Sequence, residues 1–208
     1  MKIYFARHGE SQANLLHLIS NRALPHGLTS AGLDQAACLA EYLHGRSIAR
    51  IYTSPLLRAV ETARIIARRL QVEYEPVEGL REFDCGIAEG RADEAAWQLW
   101  KAEFDAWTIN QDYDYQIEGG ESFIEVRQRF VSFVDGLIKA HTAPDTGVVC
   151  ISHGGIYSVV FPWIMHNVNP AMVMKYGFGY TSLIIAEYKA AGLVCVEWNG
   201  TPITQVYP

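Results

Sequence analysis

The stretch YFARHGESQAN, Tyr4 to Asn14, sets the problem of the chain: an apolar run beginning at Lys2 breaks at once into Arg7, His8, Gly9, Glu10 and Ser11. A strand over Lys2 to Ala6 that ends in so dense a polar cluster has its functional edge at its carboxyl end. Working outward, the same arrangement recurs twice. A short strand over Arg50 to Thr53 is followed by Ser54 and Arg58, and an apolar strand over Gly147 to Ser152 is followed by His153, Gly154 and Gly155. Between these strands lie helical patterns. Thr29 to Arg46 carries apolar residues at Leu33, Ala36, Ala37, Leu39, Ala40 and Leu43, and Thr29 or Ser30 is its expected cap. Ser54-Pro55 reads as a cap followed by proline at the first helical position, with Val60, Ala63, Ile66, Ala67 and Leu70 as the buried stripe. Further helices are expected over Glu121 to His141 and over Ile156 to Met165, the latter bent or ended near Pro162. Strands over Ser182 to Tyr188 and Leu193 to Trp198 follow, with Asn199-Gly200 turning the chain into Pro202 to Val206.

Strands alternating with helices define an α/β protein: three layers, with a mostly parallel central sheet covered by helices on both faces. In such sheets ligands collect at the carboxyl ends of the strands. Arg7, His8, Arg58 and His153 therefore converge on an anion pocket, the glycines letting backbone approach a ligand closely. Each of these signals alone has an ordinary reading as a capping, ion-pairing or loop residue. Their joint occurrence at three strand ends of one sheet does not.

The bulk properties narrow the partner. The chain has 208 residues, half of them apolar, and a formal charge of −6, so it forms one globular domain, residues 1–208, without a linker or repeat. With no basic excess, nucleic acid and anionic membrane surfaces are not expected partners. No apolar run is long enough to span a bilayer. Cys38, Cys85, Cys150 and Cys195 show no C-x-x-C spacing, which fits a reducing cytoplasmic setting. An apolar strand near the C-terminus is available to pair across a homodimer.

The motifs RHGESQAN, LTSAG, SPLLRAVETA, LREFDCGIAEG, GGES and SHGG occur in the order and approximate spacing of one family. Over nearly its whole length the chain resembles the histidine phosphatase superfamily, in its phosphoglycerate mutase-like branch. The resemblance implies a phosphohistidine mechanism with His8 as nucleophile, Arg7, Arg58 and His153 as the phosphate pocket, and Glu82 as acid/base. Asn14 matches a position that often supports the same phosphate. Two departures bear on substrate. ISNRALPHG, residues 19–27, replaces the stretch that precedes the L-T/S pair in true mutases, which leaves Asn21 and Arg22 as candidate substrate contacts. Phe83 and Cys85 stand at the arginine and tyrosine positions of the mutase E-R-x-Y-G pattern.

The chemistry agrees with the resemblance on independent grounds. A phosphoryl group in transfer spreads charge over its oxygens, which positioned cations and histidine N–H donors stabilise. A neutral imidazole can attack phosphorus if its other nitrogen is held by a backbone acceptor. The leaving alkoxide needs a proton from a carboxylic acid, for which Asp84 and Glu89 compete with Glu82. The expected function is a metal-independent phosphatase acting on small phosphomonoesters, with no cofactor. The alternatives are a cofactor-dependent phosphoglycerate mutase and a catalytically inactive phospholigand-binding regulatory protein. His8, Glu10, His17, His26 and His153 do not follow a metal-ligand spacing such as H-E-x-x-H.

A helical, lid-like insertion around residues 89–121 carries Trp97, Trp100, Phe104, Trp107, Tyr113 and Tyr115. From Glu89 to Glu118 its eight acids face only Arg91 and Lys101. Trp97, Trp100, Phe104 and Trp107 share one helical face. That face is expected to pack on the core with the acids on its solvated side, some of the aromatics roofing the pocket.

Overall fold

A computed structural model describes residues 1–22, 25–141, 146–190 and 192–204. Seven strands form one sheet: β1 Lys2–Arg7, β2 Ile48–Thr53, β3 Tyr74–Pro76, β4 Gly147–Ser152, β5 Leu183–Lys189, β6 Gly192–Trp198 and β7 Thr201–Pro202. Their order is β3-β2-β4-β1-β5-β6-β7. The first four run parallel, and β5, β6 and β7 add antiparallel pairs. The helices are α1 Gln12–Leu15, α2 Ser30–Leu43, α3 Leu57–Leu70, α4 Glu94–Thr108, α5 Phe123–Ala140, α6 Gly154–Ile164 and α7 Pro170–Tyr176. The sheet is therefore mixed, with its parallel part at the centre of an α/β fold.

Strand alternation sorts the core into two layers. Ile3 and Phe5 of β1, Val148 and Cys150 of β4, and Ile184 and Ala186 of β5 face the cluster built with α4, α5 and α6. Tyr4, Ala6, Val149, Ile151, Leu183 and Ile185 face the cluster built with α2 and α3. Burial on both faces explains why β4 reads as an unbroken apolar run. β3 is short and exposed, and it ends in Pro76, which blunts that sheet edge. The other flank is closed differently. Asn167 bonds both Cys195 N–H and C=O, His166 N–H donates to Leu193, and Ile203 N–H donates to Val196. These bonds fasten β6 to the segments that flank it.

The helix after β2 differs from expectation. It starts at Leu57 with Leu56 as an N-cap lacking a side-chain bond, so Pro55 is not its first residue. The Ser54 hydroxyl instead accepts from Leu56 N–H and pairs with His153, which commits it to the strand end. α6 begins at Gly154, two residues earlier than its apolar pattern, and retains Pro162 within it. Asn199 and Gly200 take φ of 49° and 78°, the left-handed pair of a tight hairpin turn. The following strand covers only Thr201–Pro202, and Gln205 and Val206 lie outside the described residues. No helix among the described residues is long and apolar enough to cross a membrane.

Candidate active site

The register of the parallel strands assembles the site. Arg7 of β1 pairs with Ser152 of β4, and Thr53 of β2 pairs with Ile151, so three carboxyl ends finish level. Backbone bonds extend the alignment by one residue, His8 N–H to Ser152 and Ser54 N–H to Ile151. His8 and His153 consequently meet edge to face with ring centroids 5.0 Å apart.

His8 is buried, and its Nδ1 lies 2.6 Å from the carbonyl of Gly9. A carbonyl only accepts, so Nδ1 carries the proton and Nε2 keeps its lone pair. Arg58 Nε–H points at that lone pair from 3.1 Å. Burial holds the imidazole well below its ordinary pKa, and the charges of Arg58 and Arg7 push it further down. Neutral His8 is therefore the state the fold selects. Gly9 is fixed in turn by its own N–H, which donates to Thr62.

Arg58 spans the pocket floor. Its Nη1 donates to Ser20 C=O at 2.6 Å and its Nη2 to Asn21 Oδ1 at 3.4 Å. Burial lowers its pKa to about 10, which leaves it charged at neutral pH. Arg7 Nη1 donates to Phe178 C=O at 2.6 Å, and its guanidinium lies over the Tyr180 ring. His153 Nε2 lies 2.7 Å from Ser54 Oγ. Ser54 Oγ accepts from Leu56 N–H and keeps both a proton and a second lone pair, so it matches either tautomer of His153. Nδ1 of His153 is buried and has no partner among the described residues. Burial, followed by the charge of Arg58, depresses the His153 pKa well below its ordinary value.

Glu82 closes the far side. Its Oε1 accepts from Phe83 N–H at 3.1 Å and its Oε2 from Gly155 N–H at 2.9 Å, at the first turn of α6. A Cβ at position 155 would stand 2.7 Å from Oε2, so only glycine admits the carboxyl there. Burial raises the Glu82 pKa, against the pull of those backbone donors and of Arg58. The rival acids are used elsewhere. Asp84 accepts from Gly86 N–H and Arg22, and Glu89 accepts from the N–H groups of Asn21 and Cys85. Neither lines the cleft.

The cleft holds about 290 Å³ and brings together Arg7, His8, Asn14, Asn21, Arg58, Glu82 and His153. Asn14 spends Oδ1 on Ser11, which leaves its amide donor for the cleft. Asn21 braces Arg58 and donates to Cys85 Sγ at 3.3 Å. Arg22 is absent from the lining; it is held by Asp84 and by Gly119 C=O. Among the described residues no three His, Cys, Asp or Glu side chains gather as a metal site.

Trp97, Trp100 and Phe104 of α4 line the roof, whereas Trp107 is buried in the core. Trp100 stacks on Phe104 at 5.1 Å and on Phe83 at 6.3 Å. Glu103 corrects the expectation of a solvated acidic face. Its position matches the apolar side of α4, and it is fully buried: Oε1 accepts from Ile117 N–H, and Oε2 has no partner among the described residues. The residues sequence reasoning missed are mostly supports. The carbonyls of Ser20 and Phe178 hold the arginines, and a backbone acceptor leaves no mark in residue identity. Thr62 and Ser54 sit in the quoted motif and signalled only a helix and its cap.

A pocket of two histidines and two arginines at parallel strand ends, with an acid opposite, is a phosphoryl-binding architecture. The chain belongs to the histidine phosphatase superfamily, branch 1, which it matches over residues 3–201. It is 32% identical over 161 residues to an adenosylcobalamin/alpha-ribazole phosphatase of Escherichia coli, covering 77% of each protein. It is 36% identical over 129 residues to a Gallus gallus 6-phosphofructo-2-kinase/fructose-2,6-bisphosphatase, covering 61% of this chain but only 26% of that larger protein. Among solved structures, Bacillus stearothermophilus YhfR superposes with a TM-score of 0.79 at 26% identity, covering 97% of this chain and 98% of the other.

Proposed function

We propose that the protein is a metal-independent phosphatase that hydrolyses small phosphomonoesters through a phosphohistidine on His8. The observation that carries this reading is the Nδ1–H bond to Gly9, which leaves a neutral, buried Nε2 facing two arginines. An incoming phosphoryl group draws the Arg58 donors onto its own oxygens and releases the Nε2 lone pair for in-line attack. Arg7, Arg58, His153 and the Asn14 amide then stabilise the equatorial oxygens. Glu82 protonates the departing alkoxide, and as carboxylate it takes a proton from the water that cleaves the phosphohistidine.

The insertion over residues 89–121 acts as the roof of a single domain, and its aromatics meet the leaving group. A reducing cytoplasmic location accords with four free cysteines, three of them buried. Absence of a basic excess argues against nucleic acid as a partner. The mutase reading needs a second phosphate handle, and Arg22 is tied to Asp84 outside the cleft. An inactive binding module would not need an acid poised at Gly155.

The test is to trap the intermediate. Turnover of labelled phosphomonoester in EDTA should leave acid-sensitive, alkali-stable label on His8, absent in His8→Ala. Label on serine or aspartate, or activity lost in EDTA, would overturn the mechanism.

A further inference from the structure

Two walls of the catalytic cleft, Phe104 and Ser158, also line a second cleft of about 470 Å³. It runs between the C-terminal half of α4 and helices α6 and α7. A box of rings forms it: Tyr113 to Phe123 at 5.2 Å, Tyr113 to Trp163 at 5.2 Å, and Phe123 to Trp163 at 5.5 Å, with Trp107 against Phe123 at 6.0 Å. Its rim carries Ile109 and Met174, 69% and 86% exposed.

The lining is mostly apolar, with Gln111 and the Tyr113 hydroxyl as polar groups beside the rings. Trp107 Nε1–H is already given to Tyr115 C=O, and the Ser158 hydroxyl to Gly154 C=O. Asp105 is the one ionised group in the lining, and it is paired with Lys101. Water in such a space gains few hydrogen bonds, so an apolar occupant displaces it favourably. The space is concave and shares Phe104 and Ser158 with the catalytic cleft. Those two properties point to a ligand that already has one end at His8, and a flat contact between two copies requires neither.

We propose that this second cleft binds the apolar tail of the leaving group, so that the substrates are phosphomonoesters of alcohols with an extended uncharged hydrocarbon portion. The proposal rests on the phosphatase reading of the first cleft. The phosphoryl group sits at His8, the alcohol oxygen faces Glu82, and the chain passes Phe104 and Ser158 to reach the ring box. Tail binding is the same in ground state and transition state, so it lowers KM and leaves kcat nearly unchanged.

The experiment measures kcat and KM for ethyl, butyl, hexyl and octyl phosphate below micellar concentrations, where the chemistry at phosphorus is constant along the series. Each methylene that enters the cleft should raise kcat/KM about two- to fourfold, through KM. Met174→Asp and Ile109→Asp alter exposed rim positions that the fold does not need, and each should cut the octyl-to-ethyl ratio by at least about fivefold. Ethyl phosphate hydrolysed through phosphohistidine with no gain along the series overturns the tail site alone. No hydrolysis of any ester overturns the phosphatase reading and this proposal together. Rim substitutions that dissociate a dimer in sedimentation without moving the ratio overturn the proposal and assign the cleft to a second copy.

Discussion

The floor of the cleft and its roof are built on opposite principles. On the floor, His8, Arg7, Arg58 and Glu82 are all buried or nearly so, and each is pinned by at least one hydrogen bond to backbone. Their geometry is set before any substrate arrives, which is the condition for electrostatic catalysis. The roof is held by ring stacking between Phe83, Trp100 and Phe104, and it contains a buried carboxyl oxygen, Glu103 Oε2, with no partner among the described residues. A polar floor tolerates little displacement, whereas an apolar roof can repack around different leaving groups.

The sharpest way to break this contrast is at His8. His8→Ala removes the proposed nucleophile, and turnover of p-nitrophenyl phosphate should fall by at least about 10⁴-fold. Circular dichroism should show the fold retained. Residual activity within tenfold of the parent would mean that the pinned floor is a binding site whose nucleophile lies elsewhere.

Glu82 comes next. Glu82→Gln should slow ethyl phosphate by about 10²–10³-fold and p-nitrophenyl phosphate far less, because the latter's leaving group scarcely needs a proton. Under the proposed mechanism the pH profile carries the sign. His8 acts neutral and its pKa is depressed, so the acid limb falls only as pH drops through a value well below 6.5. Glu82 acts as an acid and its pKa is raised, so the alkaline limb falls as pH climbs through a value above 4.5. The optimum should therefore lie between these two limbs, and Glu82→Gln should flatten the alkaline limb relative to the parent. Equal loss on both substrates with the limb unchanged would make Glu82 a positioning residue.

The same contrast decides what could be read from the sequence. Floor residues follow strand ends, and β1, β2 and β4 are legible because apolar runs stop at polar clusters. Arg7, His8, Arg58 and His153 could thus be brought together from spacing and fold class. Asp84 and Glu89 could not be separated from Glu82 on the same grounds, because what distinguishes them is which backbone N–H each one meets. The roof was legible as a helix with an aromatic face. The sequence does not show that Trp107 turns to the core while Trp97, four residues from the start of α4, reaches the cleft and donates to His17 C=O. Helical spacing places residues on a face and leaves open which neighbour covers each turn. Glu103 was misread for the same reason: a carboxylate on the buried side runs against the cost of desolvation, so composition alone assigns it to water.

Glu103 sharpens the comparison from the roof side. Burial raises its pKa to about 8, and Asp84, Glu121, Glu89 and Cys85 are the titratable groups that face it. A raised acid pKa costs stability as pH climbs from the ordinary 4.5 to about 8, because the unfolded chain loses the proton first. Glu103→Gln should therefore be nearly neutral at pH 4.5 and stabilising by on the order of 2 kcal/mol at pH 8.5 in urea unfolding. Equal destabilisation at both pH values would mean that the Ile117 bond outweighs the unpaired oxygen.

Arg22 lies at the seam between floor and roof, and the smallest effect is expected there. The seam is where a mutase would need a cation, since the second phosphate of a bisphosphorylated intermediate must be held while the sugar acid turns round. Phe83, at the arginine position of the mutase pattern, is fully buried and serves the roof stack. That leaves Arg22, whose side chain is half exposed and bound to Asp84 at 2.9 Å. An exposed pair of this kind contributes about 0–1 kcal/mol. Arg22→Ala should therefore lower stability by no more than that and change kcat/KM for monoesters less than about twofold. The decisive measurement is 3-phosphoglycerate with 2,3-bisphosphoglycerate, following isomer and free phosphate together in parent and variant. Phosphate release should dominate in both. Isomerisation that outpaces phosphate release and collapses in Arg22→Ala would show that Arg22 leaves Asp84 to enter the cleft, and would replace phosphatase by mutase.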